Sequence, residues 1–236
     1  MYYPFDYYNA LVIFPLISLV VGIIPLFLVR VRLSILGLGL LAYFVAIIGK
    51  VVVQFFTAKL ILSYPPYIIG SYYGTQTLLF EVGFAFLFVS LYKKITVRDA
   101  MGYGISLAFA ENGILVGAIS LMEGIITLLI FPTLPHPLQV MISEKVNIPV
   151  TYDIYHFMDR LGSLLAHTAW GVASVLYFVE RKKKYFLIGL VGFIVDFLAS
   201  YYDLHLISYF ELAVITLGIS LIGFLLIYLR LRILKR

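Results

Sequence analysis

Apolar stretches of about 20 residues follow one another along the chain, separated by short segments rich in Arg, Lys, Pro and Tyr. At ~1.5 Å per residue, a helix of that length crosses the ~30 Å hydrocarbon core of a bilayer. The pattern predicts about seven membrane helices: Ala10–Val29, Ser34–Phe56, Thr75–Tyr92, Asp99–Ser120, His156–Phe178, Tyr185–Tyr201 and Tyr209–Tyr228. Pro15 and Pro25 are tolerated in the first because neighbouring helices can satisfy the freed backbone groups. Lys50, towards the far end of the second, reads as a snorkelling side chain. Thr57–Gly74, with Pro65-Pro66 and several tyrosines, reads as a surface or re-entrant loop. Leu121–Tyr155, broken by Pro132, Pro135, Pro137 and Pro149, reads as a long external loop carrying an interfacial helix. The expected fold is a single all-α integral membrane domain over residues 1–236.

Charge sets the orientation. The segments after the first, third, fifth and seventh helices hold 13 of the 17 lysines and arginines. The positive-inside rule makes that side cytoplasmic, with the N-terminus outside and the C-terminus inside. The expected location is the plasma membrane, multi-pass. Composition agrees: 63% of residues are hydrophobic, 12% are charged and the mean hydropathy is +1.05, whereas a soluble domain is nearer a quarter charged. A net charge of +5 does not point to nucleic acid, because the basic residues sit at helix ends. The chain has no cysteine, which excludes disulfides and thiolate chemistry. Met1–Ala10 has no Lys or Arg, so it does not read as a signal peptide, and the first helix is expected to be retained.

Against this background four ionisable residues stand out. Glu81 lies 12 residues before Lys93, Glu111 lies 13 after Arg98, His167 lies 14 before Arg181, and Asp196 lies 12 after Lys184. Each is therefore about 18–21 Å from the cytoplasmic ends, near mid-membrane. A charge at the bilayer centre costs ~2.5–3.5 kcal/mol on insertion scales, so such residues usually face a bundle interior and serve a function. Arg160, Ser163, His167, Gly171 and Ser174 recur at helical spacing and form a polar stripe. Gly104 and Ala108 share a face with Glu111, and Gly189 and Gly192 with Asp196, which permits close helix approach. Three acidic groups gathered at one level need protons or a cation between them. A set of isolated polar groups, each satisfied by a neighbour, is the alternative.

The residues also resemble a known family. Leu107–Asn112, ending in Glu111-Asn112, is similar to the glycine-phenylalanine-alanine-x-x-glutamate-asparagine helix of PrsW-type intramembrane proteases, which belong with the CAAX prenyl proteases. Arg160 followed by Leu165-Ala166-His167-Thr168-Ala169-Trp170 resembles that family's arginine and leucine-alanine-histidine-x-x-tryptophan helix. Asp196-Phe197 resembles the end of its last motif, and Glu81 falls at its first. The order agrees over about 75–201. Two positions depart: Phe80-Glu81 offers one glutamate with no lysine following in its helix, and Gly192 stands where the family has a histidine.

The resemblance implies an intramembrane metalloprotease or glutamic-type protease acting on a membrane-anchored protein, with membrane lipids as its surroundings. Hydrolysis needs an activated water, a base and an oxyanion stabiliser. Glu81 and Glu111 are the candidate bases, Asn112 and His167 the candidate donors. Glu81, Glu111, His167 and Asp196 are the candidate ligands for a divalent metal such as zinc. The alternatives are a non-catalytic subunit or scaffold of a membrane complex and a proton or cation carrier.

Overall fold

The computed structural model describes residues 5–234; Met1–Pro4, and Lys235 and Arg236 of the C-terminal basic cluster, lie outside the described residues. The fold is an all-α polytopic bundle, 89% helical. Seven helices are long and apolar enough to cross a membrane: α1 (Asn9–Val29), α2 (Leu33–Ile61), α3 (Pro66–Leu91), α4 (Val97–Thr133), α5 (Tyr152–Glu180), α6 (Lys183–Asp203) and α7 (Tyr209–Leu234). The number and order of helices match the sequence expectation.

Two boundaries differ. The segment 57–74 is not a surface or re-entrant loop: α2 runs to Ile61 and α3 begins at Pro66, leaving only 62–65 between them. Proline suits a first helical turn, since its missing N–H would be unsatisfied there anyway. Nor does α4 end near Ser120. It continues to Thr133, because no proline interrupts it before Pro132 and its outer part can turn Met122, Ile125, Ile126 and Leu129 to the surroundings. Its 37 residues give ~55 Å of helix, longer than a bilayer core, so the outer end projects or tilts. The remainder of the external segment holds the helix His136–Val146.

The start of α4 is a capping box. Thr96 is the N-cap, and Asp99 accepts from the Thr96 backbone N–H at 3.0 Å and its hydroxyl at 2.8 Å. Asp99 thus caps through Thr96 rather than as the cap itself. Its other oxygen binds Arg32 at 2.5 Å, tying the α1–α2 turn to the α3–α4 turn. At the same end Glu180 binds Lys182 and Arg230, each at 2.7 Å. The basic connections are thereby gathered at one end of the bundle.

Helix α5 is the centre. It packs on α7 and α4 along most of its length and also touches α1 and α3. Its buried face is made of small residues, among them Gly162, Ser163, Ala166, Ala169, Gly171, Ala173 and Ser174. The tightest approach pairs Gly171 with Gly104 of α4. A Cβ on Gly104 would lie 2.5 Å from the Thr168 carbonyl oxygen, and one on Gly171 would meet the Gly104 backbone. Neither neighbour is a flexible side chain tip, so only glycine fits.

Two measurements check this arrangement. Gly104→Val should lower unfolding stability by about 1–3 kcal/mol or more, because backbone must move to admit it. Single cysteines at Tyr64 and Ile148 should label from outside intact cells, and one at Lys183 should not; labelling of position 183 alone would invert the orientation.

Candidate functional site

The two glutamates are presented by irregular backbone. Glu81 lies in a π-helical segment, Thr77–Val82, and Glu111 opens another, Phe109–Ile119. Such wide turns interrupt the regular register of a helix and recur at functional sites. Across from both, on regular helix in α5, stands His167.

Glu81, Glu111 and His167 each offer a ligand atom within 4.8 Å of the other two. His167 Nε2 lies 2.9 Å from Glu111 Oε2 and 3.1 Å from Glu81 Oε2. Its Nδ1 donates to the Ser163 carbonyl oxygen at 2.9 Å. That carbonyl can only accept, so Nδ1 carries a proton and Nε2 is the atom turned to the carboxylates. A backbone carbonyl on one ring nitrogen is the usual support of a metal-ligating histidine. Trp170 packs its ring 4.2 Å from the imidazole and Tyr43 packs edge-on at 5.6 Å, fixing the ring plane.

The other oxygen of each glutamate is held by a cation. Lys50 Nζ lies 2.5 Å from Glu81 Oε1 and 2.8 Å from Asp196 Oδ2, and it also donates to Thr77 Oγ1 at 3.0 Å. The Thr77 hydroxyl bonds Asp196 in turn. On the opposite side Arg160 Nη1 donates to Glu111 Oε1 at 3.2 Å, while Nη2 holds Asp159 at 2.6 Å. The result is an unbroken chain: Asp196, Lys50, Glu81, His167, Glu111, Arg160, Asp159.

Lys50 therefore does not snorkel to an end; it is the basic partner of both Glu81 and Asp196. Measured along α2, Lys50 lies 18 residues beyond Arg32, ~27 Å from the basic end. A helical side chain leans towards its own N-terminus, which brings the ammonium back level with Glu81.

All four residues singled out by depth line one cavity of about 350 Å³. Asp196 stands one step removed, beyond Lys50, and is not among the three converging atoms. Asn112 is fully buried and off the cavity wall. It donates to the Arg160 carbonyl oxygen at 3.3 Å and accepts from Arg160 Nη1 at 3.4 Å, so it braces the arginine that holds Glu111. Sequence reading missed Lys50 and Asp159. The signal for Asp159 was its place beside Arg160 in the polar stripe. Gly192 is buried against α3 and α5: a Cβ there would lie 2.9 Å from both Trp170 Cζ3 and Thr77 Cγ2. A second imidazole has no room at that position.

The cavity runs from His167 past Ser163 and Asp159 on α5, Ala199 and Asp203 on α6, and Leu212 and Tyr209 on α7. These residues climb towards the end opposite the basic turns. Thr216 and Trp170 also line it; their hydroxyl and indole N–H are buried and have no hydrogen-bond partner among the described residues.

The donor set can bind a metal. Tetrahedral zinc bonds of about 2.0–2.2 Å set ligand atoms roughly 3.3–3.6 Å apart, a few tenths of an ångström beyond the present 2.9 and 3.1 Å. Charge also fits. Glu81, Glu111, Asp159 and Asp196 face Lys50 and Arg160, a formal excess of two negative charges with His167 neutral.

No protein family, curated protein or solved structure matches the chain. The site's own geometry must therefore carry the functional reading.

Lys50→Met tests the clasp. It strands Glu81 and Asp196 together in a buried setting, so stability should fall by about 3–5 kcal/mol. Adding Asp196→Asn should recover part of that loss, as read by unfolding in detergent. Equal stability of wild type and Lys50→Met would mean that the ammonium is not buried between the carboxylates.

Proposed function

We propose that this chain is an intramembrane endopeptidase that hydrolyses a membrane-anchored protein or peptide in the plasma membrane. One observation carries the reading: an imidazole Nε2 between two carboxylate oxygens, each glutamate steadied from behind by a cation, at the inner end of a cavity at mid-membrane. The PrsW-like order of Glu111-Asn112, Arg160, His167 and Asp196 supports it. When bound, a divalent metal such as zinc would polarise a scissile carbonyl and acidify its water. His167, Glu81 and Glu111 are the residues that would hold it.

The protein's own groups divide the work by exposure. In a metal-free glutamate mechanism, Glu111, 18% exposed against 7% for Glu81, is the carboxylate better placed to take a proton from water in the cavity. Arg160 keeps Glu111 Oε1 occupied, which leaves Oε2 for the reaction. Lys50 does the same for Glu81. Asn112 acts as a positioning residue through Arg160.

Glu111→Gln should abolish cleavage of membrane-anchored substrates in proteoliposomes while the folded protein persists. Glutamine keeps the volume and accepts from Arg160, but it cannot act as a base. Glu81→Gln and His167→Ala should lose at least ~100-fold, the usual weight of a general acid–base group. Glu123→Gln, on the exposed face of α4, should match wild type. Chelator sensitivity would point to a metal; insensitivity, to a glutamate mechanism. Equal rates for wild type and Glu111→Gln would sink the assignment.

A second reading, a proton or cation carrier, draws on the unbroken ionisable chain, since relays of this kind serve pumps and transporters. Proton flux in liposomes that is lost in Glu111→Gln, together with no cleavage by the wild type, would favour it.

A further inference from the structure

We propose that the bundle carries a second site, at its basic end, that binds the phosphate of an anionic phospholipid headgroup. A cavity of about 880 Å³ lies there, between the α1–α2 turn, the start of α4 and the last turn of α7. Arg30, Arg32 and Arg98 line it, and Val31, Ile35 and Leu234 form an apolar wall. A headgroup needs that combination of guanidinium forks and an adjoining apolar surface.

Among the described residues these charges are not all spent. Asp99 is the carboxylate of the cleft, and it is saturated by Thr96 and Arg32. Arg30 and Arg98 have no acceptor among the described residues. Three arginines against one aspartate leave a formal charge of +2, suited to a phosphate. Guanidinium presents paired N–H donors in a plane that matches phosphate oxygens, and Arg32 is already oriented by its bond to Asp99.

Arg30 adds an independent sign. It closes α1 in the left-handed conformation, φ 52°, a position that favours glycine. Arg181 closes α5 with the same geometry, φ 57°, but its guanidinium lies over the Phe178 ring at 4.6 Å. Arg30 has no such partner among the described residues, and it lines the cleft. The cleft belongs to the turns that the charge bias places on the cytoplasmic side, where anionic lipids attract basic residues. Lipid-facing Phe27, Leu28 and Leu33 continue the apolar surface outward, along the path of an acyl chain. This inference is independent of the proteolytic reading.

The test uses delipidated full-length protein in detergent, titrated with phosphatidylglycerol, phosphatidylcholine or inorganic phosphate and read by native mass spectrometry. Wild type should bind phosphatidylglycerol roughly tenfold or more tighter than phosphatidylcholine, as expected for charge-assisted pairs. Arg30→Gln with Arg98→Gln should erase most of that preference. Lys93→Gln with Lys94→Gln, an equal loss of charge on neighbouring exposed residues off the cleft, should keep it. Arg30→Gly guards against misfolding: it relaxes the left-handed backbone, so thermal stability should hold or rise while the lipid preference falls. No preference in wild type, equal loss in the two double variants, or inorganic phosphate binding as tightly as the lipid would each overturn the proposal.

Discussion

A lysine ammonium cannot be buried alone among apolar helices, and Lys50 is held by two carboxylates and a hydroxyl. Much of the interior follows from that constraint. Glu81 and Asp196 must come from different helices to reach it, so α2, α3 and α6 are drawn together at one level. Arg160 imposes the same demand on Glu111 and Asp159. Removing any one charge leaves its partner buried and uncompensated, which is costly in a low dielectric. His167 joins the two halves, because its Nε2 is the point where both glutamates meet.

Helix packing makes this geometry attainable. The imidazole can stand level with both glutamates because α4 and α5 cross at Gly104 and Gly171 with no side chain between them. The π-helical turns at Thr77–Val82 and Phe109–Ile119 set the side chains of Glu81 and Glu111 out of a regular helical register. Rigid neighbours then keep the site in place: Trp170 and Tyr43 against the imidazole, Asn112 behind Arg160. The proton transfer proposed for this site would need this kind of fixed surrounding, since its charged groups cannot rely on water to reorganise around them.

The molecule is also polar in the literal sense along its long axis. One end gathers arginines around a cleft; from the other, a cavity rich in carboxylates descends towards His167. The first arrangement suits an anionic headgroup at the membrane surface. The second suits a polypeptide segment reaching inward. The two lie on opposite ends of the bundle, so the proposed lipid contact and the proposed substrate access need not compete.

Residue pattern alone determined the class, the number and order of the helices and the expected orientation, because apolar length and the placement of lysine and arginine are local properties. Counting residues from the basic turns was enough to level Glu81, Glu111, His167 and Asp196, since helical rise is constant. What the count could not supply was azimuth and reach. Lys50 was misread because its depth depends on the lean of a long side chain and on where α2 ends, and α2 ends at Ile61 only because α3 can start at Pro66. Asn112 was read as facing the reaction, yet which side of α4 meets α5 is fixed by the Gly104–Gly171 contact, far away in sequence. The pairing of each glutamate with its own cation, the closure of packing over Gly192 and the cleft between Arg30 and Arg98 were all decided by tertiary structure. Each depends on distances between helices, and no single helix encodes those.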